Sequence, residues 1–302
     1  MILVAGGTGR LGGEVVRRLT RDAKGERVRV LTREPARASK LAAECGIEVA
    51  TGDVRDAAAV LEATRGVRTV VSAVHGFVGK GVDPRTVDLA GNQNLIAAAE
   101  ACAVQRFILV SVYGATVDHS MELFRMKHLA EEALAASKLS WTIVKPTAFM
   151  ETWLEMLGGP LLAKKKATIF GRGQNPINFV SVHDVAEVVG QAAMRGGSGE
   201  PNERIDVGGP ENLSFSEVVE TFEKVTGASG SKGHVPLPVM RVMAWLMRPM
   251  NAQLARMIRA GVTMDTEDMT FDASVPSSIP RTTLADAIRR HYARGEPSAR
   301  TL

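Results

Sequence analysis

Short apolar runs rich in β-branched residues alternate with stretches of helical periodicity along the first half of the chain. The runs are continuous rather than alternating, which indicates burial on both faces and is typical of parallel strands covered by helices. The pattern predicts strands at Ile2–Ala5, Val28–Leu31, Ile47–Ala50, Thr69–Val74, Phe107–Val110 and Trp141–Val144. It predicts helices near Leu11–Thr20, Ala36–Cys45, Ala57–Ala63, Pro84–Ala103 and Met121–Ser137.

This alternation predicts an α/β fold with a Rossmann-type doubly wound parallel sheet over residues 1–146. Beyond Pro146 the rhythm changes, and Gly and Pro become more frequent. Residues 147–302 are therefore predicted to form a smaller, irregular α/β portion on the substrate side, unless the chain returns to the Rossmann sheet. Elements of this portion are expected near Ile169, Phe179, Val185–Ala193 and Phe215–Val225.

The composition is that of an ordinary globular protein, since 45% of its 302 residues are hydrophobic and 23% are charged. The net charge of +4 comes mostly from scattered arginines. The one compact basic run, Lys164 to Lys166, has no interleaved aromatic residues. We therefore expect no binding of nucleic acid.

Two cysteines without metal-ligand spacing, Cys45 and Cys102, predict no metal site and fit a reducing compartment. The most apolar long segment, Val239 to Met250, is interrupted by Arg241, Arg248 and Pro249 and is too short to span a membrane. Because the first strand is predicted to start at Ile2, no signal peptide is expected. Together these features predict a cytoplasmic protein.

A glycine-rich segment, Val4-Ala5-Gly6-Gly7-Thr8-Gly9-Arg10-Leu11-Gly12, joins the first predicted strand to the first helix. Two registers fit a dinucleotide-binding loop: Gly7-x-Gly9-x-x-Gly12 and Gly6-x-x-Gly9-x-x-Gly12. In such a loop the glycines allow a tight turn and close approach of backbone to a pyrophosphate, which the helix N-terminus attracts. The predicted cofactor contacts in this segment are Gly6, Thr8, Gly9, Arg10, Leu11 and Gly12.

The choice between NADP(H) and NAD(H) is usually set at the end of the second strand, here Leu31-Thr32-Arg33. Arg33, with help from Arg10 and Arg37, is suited to pair with a 2′-phosphate. If Glu34 faces the ribose instead, NAD(H) becomes acceptable. We expect NADP(H) as the preferred cofactor.

Residues after the later strands complete the predicted cofactor site. Asp53 follows the third strand and is suited either to accept a hydrogen bond from the adenine amino group or to cap the helix that starts at Ala57. The strand ends also supply Val54, Ala73, Val74 and His75 as predicted cofactor contacts, and Ser111 as a predicted contact of substrate or nicotinamide.

Further segments carry a resemblance that covers most of the chain: Gly52-Asp53, Ser111-Val112-Tyr113-Gly114, Lys127, Lys145-Pro146-Thr147 and Phe179-Val180-Ser181-Val182-His183-Asp184-Val185-Ala186. With the glycine loop and Arg33, they resemble the atypical short-chain dehydrogenase/reductase superfamily, and within it the NmrA-like group. The resemblance implies a Rossmann domain with a small C-terminal substrate domain. It also implies that Lys127 and Pro146 lie at the cofactor.

One position departs from that pattern, because typical enzymes of this superfamily carry a proton-donating tyrosine four residues before the active lysine. Here the lysine position is Lys127 and the tyrosine position is Leu123. Lys127 is then predicted to stabilise charge or to donate the proton, with Ser111 as a second catalytic candidate. The alternative is that Lys127, with Glu131, belongs to a solvated helix face.

These residues predict an NADPH-dependent oxidoreductase that transfers hydride to an apolar conjugated carbonyl or quinone. The alternative is a non-catalytic NADP(H) sensor or regulatory protein, with a homo-oligomer or a protein partner allowed by the sequence. Met240, Met243, Met247 and Met250 recur at helical spacing and are suited to a lid, a partner surface or core packing. The predicted substrate contacts, which ordinary core packing would also explain, are Tyr113, Phe149, Met150, Trp153 and Phe179.

Overall fold

The computed structural model describes residues 1–22, 26–77, 79, 81–195, 201–274, 277 and 279–292. As far as Pro146 its elements are β1 (Ile2–Ala5), α1 (Arg10–Asp22), β2 (Val28–Thr32), α2 (Ser39–Cys45), β3 (Glu48–Thr51), α3 (Ala57–Thr64), β4 (Thr69–Ser72), α4 (Asn92–Ala101), β5 (Arg106–Val110), α5 (Glu122–Ala135) and β6 (Ser140–Pro146). The later elements are β7 (Ala148–Phe149), α6 (Met150–Trp153), α7 (Gly159–Lys164), β8 (Lys166–Phe170), β9 (Ile177–Val180), α8 (Val182–Met194), β10 (Glu203–Val207), β11 (Asn212–Leu213), α9 (Phe215–Thr226), β12 (Ser231–Val235), α10 (Leu237–Met247), α11 (Ala252–Thr266) and α12 (Leu284–Tyr292).

The chain divides into two units, and the first consists of Met1–Pro146 together with Val185–Val207. Its seven-stranded sheet has the order β10-β6-β5-β4-β1-β2-β3, and every strand pair in it is parallel. The strand order reverses between β1 and β4, which is the switch point where doubly wound sheets bind ligands. The predicted Rossmann-type fold is therefore confirmed, and the chain does return to the sheet through β10.

The second unit consists of Thr147–Asp184 and Gly208–Leu302. It contains a three-stranded sheet in the order β11-β9-β7 and a parallel pair formed by β12 and β8. Its core is built from apolar side chains of α6, α9 and α12 and of the strands β8 and β9, among them Phe179, Phe215 and Phe222. Apolar contacts of this kind give the unit a core of its own.

Two predicted helices of the first unit are less regular than expected. The segment predicted as Pro84–Ala103 starts with a π-helical turn at Arg85–Gly91 and becomes α-helical only in α4. The segment predicted as Ala36–Cys45 starts with a 3₁₀ turn at Pro35–Ala38 before α2. Short π-helical turns recur at functional sites, and this one carries Asp88, a buried carboxylate considered below.

Candidate functional site

The glycine loop has the close packing that a dinucleotide-binding turn needs. Gly6 adopts φ +83°, and a Cβ atom on it would lie 2.6 Å from the carbonyl oxygen of Ala73. A Cβ atom on Gly12 would lie only 2.1 Å from the carbonyl oxygen of Gly6. Only glycine fits at either position, because both neighbours are backbone atoms that cannot turn away.

This loop leads directly into α1, whose first residue is Arg10. The backbone N–H of Gly9 donates to the oxygen of Gly6 at 2.9 Å, which closes the turn. Leu11 is buried and anchors the start of the helix. The first N–H groups of a helix have no partner within it and favour phosphate, so the loop fits the pyrophosphate of a dinucleotide.

Beside the loop lies a pocket at the carboxyl ends of the central strands of the first unit. Just after β2 it is lined by the exposed residues Arg33, Glu34 and Arg37, two of which are cationic. The predicted cofactor residues that line it are Gly6, Thr8, Gly9, Arg33, Asp53, Val54, Ala73, Val74 and His75, joined by Leu31, Thr32, Glu34, Arg37, Gly52, Val82 and Val87. The structure thus brings the glycine loop and the second, third and fourth strand ends together around one cavity.

Asp53 is held by the guanidinium of Arg55. The Nε atom of Arg55 donates to Oδ1 of Asp53 at 3.0 Å, and its Nη2 atom donates to Oδ2 at 2.6 Å. These hydrogen bonds keep the pKa of the Asp53 carboxyl below its usual value. The alternative prediction that Asp53 caps α3 is wrong, because the N-cap is Asp56, which accepts from the backbone of Ala58 and Ala59.

Lys127 lies in the interior of the first unit, so the alternative of a solvated helix face is wrong for it. Its Nζ atom donates to the carbonyl oxygens of Val74 and Val110, each at 2.9 Å. It also lies 3.0 Å from Oδ1 of Asp88, as an ion pair that lacks the alignment of a hydrogen bond. An ammonium group has three N–H bonds, and three acceptors surround this one.

The partner carboxylate, Asp88, was not singled out in the sequence. Its Oδ2 atom accepts from the backbone N–H of Gly76 at 2.7 Å, which fixes the loop after β4. Its own carbonyl oxygen accepts from Asn92, and Asn92 in turn accepts from Ser72. The sequence does hold one indication of this role. Asp88 and Asn92 are four residues apart, so on a helix Asp88 lies on the same buried face as Asn92 of α4.

His75 is a predicted cofactor residue whose imidazole is affected by the charges of Asp88 and Lys127. His75 is exposed and lines the pocket. Desolvation by the neighbouring protein atoms lowers the pKa of the His75 imidazole, an effect that Asp88 opposes and Lys127 reinforces. A lowered pKa favours the neutral imidazole, in which one ring nitrogen can donate a hydrogen bond and the other can accept one.

Ser111, the second catalytic candidate, is buried at the end of β5. Its hydroxyl donates a short hydrogen bond to Oε1 of Glu131, a buried carboxylate one turn beyond Lys127 on α5. Lys145 lies 3.4 Å from the other oxygen of Glu131. A hydroxyl that donates its proton inward can only accept from a ligand.

The structure also gives the positions of Leu123, Tyr113 and Pro146. Leu123 is half-buried on α5, one turn before Lys127, so the tyrosine position of the superfamily is occupied by an apolar side chain. Tyr113 donates its backbone N–H to the carbonyl oxygen of Pro146 at 2.8 Å. Within the described ranges, Ser111, Lys127, Tyr113 and Pro146 are not among the residues that line the pocket.

The predicted substrate contacts of the second unit fall into two pairs. Met150 and Phe179 are almost fully buried in its core, so packing accounts for both. Phe149 and Trp153 are only partly buried, and the Trp153 ring lies 4.6 Å from that of Phe215. The role of all four in substrate binding stays a prediction.

The described part of the chain holds no group of three or more His, Cys, Asp or Glu residues that could bind a metal ion. Cys45 and Cys102 are both free. None of the described helices is long and apolar enough to cross a membrane.

Several known proteins are similar to this chain in sequence or in fold. The chain is 31% identical over 75% of its length to the NAD(P)H azoreductase of Xenophilus azovorans, covering 74% of that protein. It is 26% identical over 80% of its length to a photosystem II assembly factor of a Synechocystis strain, covering 72% of that protein. The solved structure of an Escherichia coli NADPH-dependent quinone oxidoreductase, complexed with NADPH, shares the fold with a TM-score of 0.77, at 22% identity over 97% of this chain and 100% of that one.

The resemblance predicted from the motifs is borne out by a family model that covers most of the sequence. That match spans residues 1–280 and thus includes the glycine loop, the pocket and the Lys127 network. This chain therefore belongs to the NmrA-like family.

Proposed function

We propose that the protein is an NADPH-dependent oxidoreductase that transfers hydride to an apolar conjugated carbonyl or quinone. The observation that carries the proposal is the cavity formed by the glycine loop and the ends of β2, β3 and β4. One relative of the chain, at 31% identity, is an NAD(P)H azoreductase, and this supports the use of a nicotinamide cofactor. The reductase of known structure with NADPH has the same fold.

The preference for NADPH rests on the charge at the end of β2. Arg33 and Arg37 both line the pocket, and the charge of Arg33 adds to the hydrogen bonds from Arg55 in lowering the pKa of the Asp53 carboxyl. A 2′-phosphate would form charge-assisted hydrogen bonds with these guanidinium groups. Glu34, which lines the same pocket, would repel that phosphate, so the preference depends on the two arginines outweighing one carboxylate.

Replacing Arg33 with alanine should weaken NADPH binding by about 10- to 100-fold, the value of one charge-assisted hydrogen bond. Binding of NADH should change little, because it lacks the phosphate. Titration calorimetry with both cofactors measures the two effects in one variant. Arg65→Ala is a suitable control, since Arg65 is 68% exposed and pairs with Glu62 on α3. Equal losses for NADH and NADPH in the Arg33 variant would contradict the proposed 2′-phosphate contact.

The proposed reaction needs little from the protein beyond positioning. A nicotinamide held in this pocket would supply hydride, and a conjugated acceptor would spread the resulting negative charge, so a dedicated acid would contribute less than it does for a simple ketone. Lys127 holds the ends of β4 and β5 through two carbonyl oxygens, and Asp88 holds Gly76. We propose that this network positions the cofactor-side loop, that the proton comes from water, and that His75, which lines the pocket, offers a hydrogen bond.

A second candidate is a non-catalytic NADP(H) sensor, which one observation favours. The two residues predicted as catalytic, Lys127 and Ser111, both direct their hydrogens to internal acceptors, and Leu123 supplies no proton. One of the relatives is an assembly factor rather than a named reductase. The two candidates share the cofactor site and differ in turnover.

Consumption of NADPH separates these candidates. The protein is mixed with NADPH and a panel of quinones and enones, and the fall in absorbance of the reduced cofactor is followed. We expect turnover with at least one quinone above the rate without protein. Tight NADPH binding, measured by calorimetry, without turnover on any acceptor would overturn the oxidoreductase proposal and leave the sensor.

A further inference from the structure

The helix α10 presents an apolar face to solvent. At 100° per residue, Val239, Val242, Trp245 and Leu246 follow one another around the side of the helix that points away from the protein. All four are exposed, and Trp245 is 70% exposed. A surface helix normally carries polar residues on this side, so the outward face of α10 requires an explanation.

The opposite side of the same helix is already used for packing. Met240 and Ala244 are buried, and the Met240 methyl group lies close to Gly261 of α11. The methionines at helical spacing do not share one environment, because Met240 is buried in packing while Met250 is 78% exposed beyond the last residue of the helix, Met247. Anchored on one side, α10 leaves its apolar side available to a partner.

The charged side chains of α10 and its C-terminal cap, Arg241 and Arg248, have a single sign. Arg241 and Arg248 lie next to each other on one edge of α10, and both are exposed. No Asp or Glu occurs in the sequence between Lys224 and Asp265, whereas that stretch contains five basic residues: Lys232, Arg241, Arg248, Arg256 and Arg259. The partner that complements this surface is therefore apolar and anionic.

We propose that α10 docks on the surface of an anionic lipid bilayer, with Trp245 and Leu246 in the headgroup boundary and Arg241 and Arg248 at the lipid phosphates. Interfacial helices combine an apolar face with flanking arginines, and tryptophan favours the membrane interface. At 11 residues, α10 is about 16 Å long, so it lies in the plane of the interface. This inference is independent of the oxidoreductase activity.

A second copy of the chain is a poorer match for the same face. A twofold interface brings one patch against itself, so the edges that carry Arg241 and Arg248 would share one interface, and the stretch between Lys224 and Asp265 offers them no carboxylate. Like charges that face each other across an interface disfavour association. The surface of an anionic bilayer instead supplies negative charge to both arginines.

The test is flotation of the full-length protein with vesicles of phosphatidylglycerol and phosphatidylcholine in equal parts, compared with vesicles of phosphatidylcholine alone. We expect binding to the anionic vesicles, with a blue shift of the tryptophan emission. Leu246→Glu should lower the partition coefficient by about tenfold or more, the value of burying one leucine. Arg241→Ala and Arg248→Ala should each lower it roughly fivefold, and added salt should weaken binding further.

A matched control is available in the same unit. Leu162 on α7 is 47% exposed and Leu246 is 49% exposed, so Leu162→Glu introduces the same change away from α10 and should leave vesicle binding unchanged. Far-ultraviolet circular dichroism establishes that each variant is folded. Equal losses in the two glutamate variants would overturn the proposal, as would failure of the wild-type protein to bind anionic vesicles. A wild-type dimer that Leu246→Glu converts to a monomer, without vesicle binding, would assign the face to a second copy instead.

Discussion

Replacing Gly12 with alanine should weaken binding of the nicotinamide cofactor by about tenfold or more, because the overlap displaces the loop that receives the pyrophosphate. The new Cβ atom would lie 2.1 Å from the carbonyl oxygen of Gly6. That oxygen belongs to the backbone of the loop, so α1 or the loop itself must shift. The same overlap should cost about 1–3 kcal/mol of unfolding free energy. Titration calorimetry and urea unfolding measure the two effects.

The next residue along the helix provides the control. A Cβ atom on Gly13 would have its nearest neighbours at 3.6 Å, which is ordinary van der Waals contact. Gly13→Ala should therefore leave cofactor binding intact and, through its better helix propensity, stabilise the protein by up to about 1 kcal/mol. If Gly12→Ala behaved like Gly13→Ala, the close approach of α1 to the loop would not be required for the site.

Replacing Lys127 with methionine should lower the free energy of unfolding by about 3–5 kcal/mol, because it leaves the buried carboxylate of Asp88 without its counter-ion. The carbonyl groups of Val74 and Val110 would lose their shared donor as well. Urea unfolding checks the loss. Lys138→Met, at an exposed position beyond α5, should change stability by no more than about 0.5 kcal/mol.

A second substitution separates positioning from catalysis at Lys127. Combining Lys127→Met with Asp88→Asn removes both charges while keeping an oxygen that can accept from Gly76, so the double variant should recover most of the lost stability. Turnover with quinone should recover with it if Lys127 only positions the loop. If Lys127→Met kept full stability but lost all turnover, Lys127 would instead be the proton donor.

The Rossmann sheet could be predicted because short continuous apolar runs such as Ile2–Ala5 are enough to indicate a strand that is buried on both faces. The glycine loop could be predicted for the same reason, since its whole geometry lies within a few residues. The strand β10 was missed because Glu203–Val207 alternates exposed charged residues with partly buried apolar ones, as edge strands do. Its position beside β6 depends on a partner about sixty residues earlier.

The environment of Lys127 could not be predicted in this way. Helical spacing places Lys127 and Glu131 on one face of α5 but does not say whether that face meets water or protein. The outcome depends on Val74, Val110 and Asp88, which belong to three other segments of the chain. The same holds for Asp53, whose carboxylate binds Arg55 while Asp56 caps the helix.

The late arrival of β10 has a consequence for how the protein is made. During synthesis β6 emerges with its outer edge unpaired, and the strand that covers this edge follows only after α8. Until residue 207 has left the ribosome, the backbone groups along that edge are open to pairing with other chains. The nascent first unit therefore passes through a stage exposed to misassembly that ends only when β10 joins the sheet.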